Sequence, residues 1–112
     1  MNPRDLELST AALKPLLAQK AVRLLDVREG FEVAGGIIEG AVHIPLGQLP
    51  TQHQTLETDL PIVVYCAHGM RSLQGAYFLH TQGFEGVKSL TGGIVAWSRD
   101  GGAVVPPGRT GG

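Results

Sequence analysis

The sequence predicts a single α/β domain in which helices cover both faces of a parallel β-sheet. Short apolar runs of strand length alternate with amphipathic stretches of helical length along most of the chain. Glycine pairs at 35–36, 92–93 and 101–102 separate these segments. A chain of 112 residues is long enough for one hydrophobic core. We expect the domain to span residues 1–106 and to be followed by a disordered tail at residues 107–112.

The individual elements follow from local patterns. Ser9 or Thr10 can cap the first helix, and Pro15 is expected to confine that helix to one side of itself. Phe31 is the predicted apolar anchor of the short second helix, and Trp97 is that of the last helix. In chain order we predict a helix at 11–19, a strand at 22–27, one or two helical turns at 29–34, a strand at 41–43, irregular helix at 46–56, a strand at 62–65, a helix at 72–81, a strand at 87–90 and a helix at 94–99.

Composition and charge exclude several classes of function. Nine basic and ten acidic residues give a net charge of −1, so neither a nucleic acid nor an anionic membrane is an expected partner. The single cysteine excludes an internal disulfide and a cysteine-based zinc site, and the four histidines show no metal-ligand spacing with it. The N-terminus has no signal-peptide pattern, and no apolar run approaches the length of a membrane span. We therefore expect a cytoplasmic monomer that uses neither a metal nor a cofactor.

The chemistry is expected at Cys66. A short apolar strand at 62–65 delivers this cysteine into a tight turn that ends at Arg71 and Ser72. Backbone N–H groups at such a turn and helix start lack intrahelical partners and can bind an anion, so they favour a thiolate, as does a nearby arginine. The alternative is that Cys66 is a small buried hydrophobic residue. The apolar face of the following helix is predicted at Leu73, Ala76, Tyr77 and His80.

A second segment is expected close to Cys66. The carboxyl ends of parallel strands share one edge of the sheet, which brings Asp26 and Arg28 to the side where the cysteine emerges. For both residues we prefer a supporting role to direct contact with a substrate. Asp26 would orient the loop through hydrogen bonds, and Arg28 would pair with Glu29 or Glu32.

The loop residues themselves have distinct predicted roles. Gly69 should let consecutive amide groups converge on an anion. Three loop residues, Ala67, His68 and Met70, should face the substrate or the solvent. For His68 we prefer exposure to solvent. For Met70 two roles stay open: an apolar rim for a protein acceptor, and ordinary packing. Ser72 should cap the following helix, with assistance to the thiolate as the alternative.

Four blocks of the sequence occur in the order and spacing of a known family. They are LDVRE at 25–29, GIIEGAVHIP at 36–45, VYCAHGMRS at 64–72 and LTGGIVAW at 90–97. On these blocks the chain resembles the single-domain rhodaneses, a sulfurtransferase family, over residues 8–106. The resemblance implies a three-layer α/β domain with a central, mostly parallel, five-stranded sheet flanked by helices.

The resemblance also implies a reaction. Cys66 stands at the position of a nucleophile that becomes a persulfide, accepting a sulfane sulfur from a donor such as thiosulfate and passing it to a thiophilic acceptor. Asp26, Arg28 and Ser72 would support the site. One departure is Ile37, which replaces the histidine of the family's usual Gly-His-Ile and puts the local packing in question. The residues at the positions of the sulfur-binding loop are Ala67, His68, Gly69, Met70 and Arg71.

Two alternatives come from other classes of protein. Phosphatases and arsenate reductases also place a cysteine and an arginine around an anion cradle, but the related protein phosphatases use Cys-x5-Arg. Cys66 and Arg71 form Cys-x4-Arg, and the smaller ring suits a sulfur atom better than a phosphoryl group. A non-catalytic rhodanese-fold interaction module would usually lack the cysteine. The expected acceptors of sulfur are cyanide, a small thiol or a protein thiol such as that of reduced thioredoxin.

Overall fold

The fold is a five-stranded parallel sheet between two layers of helices. The computed structural model describes residues 2–109. The strands are β1 (Glu7–Leu8), β2 (Arg23–Asp26), β3 (Val42–His43), β4 (Ile62–Tyr65) and β5 (Lys88–Leu90). The helices are α1 (Thr10–Ala18), α2 (Gly30–Val33), α3 (Leu49–Gln52), α4 (Met70–Thr81) and α5 (Gly93–Arg99), with 3-10 turns at Pro3–Leu6, Leu46–Gln48, His53–Thr55 and Pro107–Arg109.

The order of the strands places β4 at the centre of the sheet. The order is β1-β5-β4-β2-β3, and each neighbouring pair is parallel. Asp26 at the end of β2 lies opposite Tyr65 at the end of β4. The segments that follow these two strands therefore leave the sheet side by side. The predicted α/β class and the parallel sheet are confirmed.

Side chains on β4 alternate between the two halves of the hydrophobic core, as the period of a strand requires. Ile62 and Val64 pack with Ala76 and Leu79 of α4. Val63 and Tyr65 pack on the other face, in the half of the core that contains Trp97 of α5. All four β4 residues are buried, which accounts for the continuous apolar run in the sequence.

The first strand was not among the predicted elements. β1 consists of only Glu7 and Leu8, which pair with Ser89 and Leu90 of β5. Two residues carry no readable periodicity, so this edge strand is defined by its partner and not by its own sequence.

Two predictions about the helices are wrong. Helix α1 continues through Pro15, with the hydroxyl of Ser9 accepting a hydrogen bond from Ala12 N at its start. Phe31 does not anchor α2, because its side chain is 82% exposed; Val33, on the opposite side of this short helix, is the buried residue.

The buried face of α4 also differs from its predicted position. Tyr77 and His80 are exposed. Ala76 is buried and Leu73 packs against the core, as predicted, so the prediction is wrong only for Tyr77 and His80. The small residues of the buried side carry little hydrophobic signal in the sequence. The residues that α4 buries are Ser72, Gly75, Ala76 and Leu79.

The C-terminal segment returns to the residues that follow α2. Val105 forms a backbone bridge with Ile37, with both N···O distances at 2.8 Å, and a 3-10 turn follows at Pro107–Arg109. Residues 110–112 of the predicted tail lie outside the described residues. Within residues 2–109, no helix combines the length and the apolar character needed to cross a bilayer.

Candidate active site

The site is built around Cys66, the residue that follows the central strand β4. Cys66 leaves the sheet at the carboxyl edge, and residues 67–69 connect it to the N-terminus of α4. Gly69, in the left-handed region at φ 99°, is the N-cap of this helix. A residue with a side chain rarely adopts this conformation, so glycine at this position lets the loop turn back over the cysteine.

The Sγ atom of Cys66 lies in a cradle of hydrogen-bond donors. The amide nitrogen of Gly69 lies 3.1 Å from Sγ and that of Ser72 lies 3.3 Å from it. The side chain is 1% exposed. Burial raises the pKa of the Cys66 thiol, but hydrogen bonds from Ser72 and from the amides of Gly69 and His68 outweigh this effect, so the net pKa is lowered. The cradle therefore favours a thiolate.

Two buried hydroxyl groups lie behind the cysteine. The Ser72 Oγ lies 3.5 Å from the Cys66 Sγ, 3.2 Å from the carbonyl oxygen of Gly69 and 2.8 Å from the Ser89 Oγ. Gly69, not Ser72, is the N-cap of α4, so the contact with the sulfur is the role that the geometry gives to Ser72. When Cys66 is a thiolate, the Ser72 hydroxyl can turn from the Gly69 carbonyl and donate to sulfur.

Replacing Ser72 by alanine should raise the pKa of the Cys66 thiol, because one donor to the thiolate is removed. The chain has one cysteine, so the ultraviolet absorbance of the thiolate can be titrated without interference from a second thiol. The exposed Ser98→Ala variant is the control. A titration curve for Ser72→Ala that overlays the wild-type curve would remove the hydroxyl from this role.

Arg71 closes the loop but directs its guanidinium to a carboxylate. Its Nη1 and Nη2 donate to the two oxygens of Glu32, at 2.7 and 2.9 Å. These hydrogen bonds lower the pKa of Glu32 to about 2 and raise the pKa of Arg71. The negative charge of a Cys66 thiolate raises the pKa of Arg71 further. The ion pair joins α2 to the cysteine loop.

Asp26 and Arg28 form a buried ion pair next to this site. The carboxylate of Asp26 accepts from the backbone N, the Nε and the Nη2 of Arg28, the last at 2.7 Å. Arg28 also donates to the carbonyl oxygens of Gly36 and Glu32. The expected pairing of Arg28 with the carboxylate of Glu29 or Glu32 is wrong, since its carboxylate partner is Asp26. Asp26 therefore orients Arg28, and Arg28 in turn holds the 28–36 segment. This differs from the expected role of Asp26, which was to orient the cysteine loop directly.

The start of α5 supports the cysteine loop from the other side. The amide nitrogens of Ile94 and Val95 donate to the carbonyl oxygens of Cys66 and Ala67, at 2.9 and 3.2 Å. Gly93, with φ at 63°, lies directly against these two carbonyl groups, where any Cβ would collide. The glycine pair at 92–93 thus allows the helix to approach the loop closely.

Replacing Gly93 by alanine should destabilise the fold by about 2 to 5 kcal/mol, from the left-handed conformation and the collision with the loop carbonyls together. Urea unfolding measures this loss. The control is Gly47→Ala, because a Cβ on Gly47 meets no atom within 4 Å and its φ lies outside the left-handed region. Equal stability of the two variants would contradict the close approach.

The remaining loop residues differ in their exposure. Ala67 is half-buried, and His68 is exposed, as predicted. The Met70 side chain is 75% exposed, which rules out ordinary packing, one of the two roles left open for this residue. Ile37 is buried, and its backbone forms a bridge with Val105, so this part of the fold is closed without the histidine that the resemblance implies at this position. No group of three or more histidine, cysteine or acidic side chains in the described part of the chain is arranged to hold a metal ion.

Sequence reasoning missed three residues that contact the loop or its arginine. Glu32 has a local signal, since Glu29 and Glu32 have the spacing of a capping box and the box is formed. Ser89 is a polar residue inside the apolar run of β5, which is a sign of a buried hydrogen bond. Gly93 belongs to a glycine pair that precedes the predicted last helix, but its approach to the carbonyls of residues 66 and 67 depends on the assembled fold.

Comparison with known proteins agrees with this arrangement. The profile of the rhodanese-like domain matches residues 9–100. A sulfurtransferase of Allochromatium vinosum is 36% identical over 102 residues, which cover 90% of this chain and 95% of that protein. YtwF, a candidate sulfurtransferase of Bacillus subtilis, is 46% identical over 92 residues, which cover 81% of this chain and 88% of that protein.

The structural comparison gives the same result. The crystal structure of a rhodanese-related protein from Thermoplasma volcanium superposes with a TM-score of 0.83 at 36% identity, covering 88% of this chain and 96% of that one. The family profile spans most of the chain, relatives are named sulfurtransferases, and the cysteine loop lies at the carboxyl edge of the sheet. The chain therefore belongs to the rhodanese-like domain family.

Proposed function

We propose that this protein is a sulfurtransferase that carries a sulfane sulfur as a persulfide on Cys66. The observation that supports this most strongly is the convergence of the Gly69 and Ser72 amides on the buried Sγ. Preorganised donors of this kind stabilise an anion without reorganisation during the reaction. The same donors that favour the thiolate can hold the terminal sulfur of a persulfide anion.

The first half-reaction loads the cysteine. The Cys66 thiolate attacks the sulfane sulfur of the donor, and a new S–S bond forms. With thiosulfate, the original S–S bond breaks and its electron pair leaves with sulfite, so that one negative charge stays on the terminal sulfur of the Cys66 persulfide. The reaction requires no metal or cofactor. Thiosulfate is the donor named for a relative, the thiosulfate sulfurtransferase GlpE of Shewanella oneidensis, which is 37% identical over 90 residues and covers 80% of this chain.

The second half-reaction unloads the sulfur. A nucleophilic acceptor attacks the terminal sulfur of the persulfide, and the Cys66 thiolate leaves with the electron pair of the broken S–S bond. Cyanide would give thiocyanate, and a thiolate would give a new persulfide. The exposed side chain of Met70 beside the loop supports a protein thiol, such as that of thioredoxin, as an acceptor. A nucleophilic thiol that has to stay reduced suits the cytoplasm.

The experiment is a pair of assays on the same preparation. Thiosulfate and cyanide should give thiocyanate, with the parallel double-reciprocal plots of a ping-pong mechanism because the two substrates never meet on the enzyme. An aryl phosphate should give no phosphate release, since the short Cys-x4-Arg loop does not suit a phosphoryl group. Phosphate release without any thiocyanate would overturn the proposal and favour the phosphatase alternative.

A further inference from the structure

The carboxylate of Glu32 is held firmly in contact with the arginine of the cysteine loop. It accepts two hydrogen bonds from Arg71, and its Oε1 also accepts the backbone N–H of Glu29 at 3.1 Å. The backbone carbonyl of Glu32 accepts from Arg28, which is fixed by its buried pair with Asp26. The side chain of Glu32 is only 20% exposed. This is therefore not a loose surface ion pair whose partners separate freely.

The pair changes the charge that a substrate meets at the cysteine loop. Both arginines of the site have a carboxylate partner, Arg28 in Asp26 and Arg71 in Glu32. Arg99 of α5 borders the cleft beside Glu32, but its side chain is 72% exposed and screened by water, with its Nε 3.5 Å from Asp100. The positive charge expected from an arginine in the loop is thus largely compensated before any substrate binds.

We propose that Glu32 is a specificity-determining residue, which compensates the charge of Arg71 and thereby disfavours sulfur donors with two negative charges relative to donors with one. This inference rests on the proposed sulfur transfer, and it adds which donors the site prefers. The approach of an anionic donor to the Cys66 thiolate brings like charges together. Each further negative charge on the donor makes the repulsion larger, unless Arg71 is free to offset it.

Two donors isolate the effect of charge. Thiosulfate carries two negative charges and leaves as sulfite after transfer of its sulfane sulfur. Methanethiosulfonate carries one negative charge, transfers the same kind of sulfur to the thiolate and leaves as methanesulfinate. In both reactions one S–S bond forms, one sulfur–sulfur bond breaks and its electron pair departs with the leaving group. The ratio of kcat/KM for thiosulfate to kcat/KM for methanethiosulfonate therefore reports the charge preference of the site.

The test is Glu32→Gln, which removes the charge and keeps an oxygen that can accept from Glu29 N. The ratio should rise on the order of threefold to tenfold, because Arg71 is then uncompensated. The control is Glu85→Gln, which makes the same change of net charge. Glu85 lies in the loop before β5, and its neighbour Gly86 lies against Pro61 at the end of the sheet opposite the site. The control should leave the ratio unchanged.

Three results distinguish the possibilities. A ratio that stays constant in Glu32→Gln, or an equal loss with both donors, overturns the proposal and makes Glu32 a positioning residue for Arg71. If Glu32→Gln does not fold, the wild-type protein decides: added salt should raise kcat/KM for thiosulfate relative to that for methanethiosulfonate, because salt screens the larger repulsion of the dianion. A ratio that falls or stays constant as salt is added overturns the proposal. If neither donor loads Cys66 in the wild-type protein, the sulfur-transfer function fails instead.

Discussion

Replacing Cys66 by serine should reduce sulfur transfer by roughly three orders of magnitude or more, to the uncatalysed background. A hydroxyl group at this position stays protonated at neutral pH and cannot form the persulfide. The Gly69 and Ser72 amides can donate to the serine oxygen as they do to Sγ, so the fold should be retained. Steady-state thiocyanate formation measures the loss, and thermal unfolding checks the fold. A folded Cys66→Ser variant with substantial turnover would place the reacting group elsewhere.

Replacing Asp26 by asparagine should destabilise the protein by about 3 to 5 kcal/mol, because it leaves the Arg28 guanidinium buried without a countercharge. Asp26 is 0% exposed and Arg28 is 5% exposed. Burial lowers the pKa of Arg28, but the hydrogen bonds to Asp26 outweigh this effect and the pKa is raised. An arginine side chain is not deprotonated in proteins, so Arg28 stays charged in the variant as well. A loss of this size is a large share of the stability of a small domain.

The matched control for this change is Asp59→Asn. Asp59 also pairs with an arginine through two hydrogen bonds of 2.7 Å, but its side chain is 53% exposed and that of its partner Arg23 is 41% exposed. Such a pair contributes little to stability, because water and salt screen it. Urea unfolding of the two variants compares a buried pair with an exposed one. A similar small loss in both would show that the Asp26–Arg28 pair does not hold the 28–36 segment in place.

The sequence was sufficient to predict the class of fold and the position of the cysteine. Both depend on local patterns: four of the five strands are apolar runs or border them, and the turn after residue 65 has the glycine that its backbone requires. The parallel arrangement alone predicts that the residues of the site lie at one edge of the sheet.

The partners within the site could not be predicted in the same way. Arg71 is 39 residues from Glu32, and Ser72 is 17 residues from Ser89, so these contacts exist only after the chain has folded. The pairing of Arg28 with Asp26 was missed for another reason. The two residues are only two positions apart on the chain, but the choice among three nearby carboxylates depends on which of them is buried with the guanidinium.

The central claim is that Cys66 accepts a sulfur atom, and intact mass spectrometry after incubation with thiosulfate tests it most directly. The wild-type protein should gain about 32 Da, one sulfur atom, and lose this mass when cyanide is added. The Cys66→Ser variant should show no gain. An unchanged wild-type mass, or an adduct of the same size on Cys66→Ser, would contradict the persulfide mechanism.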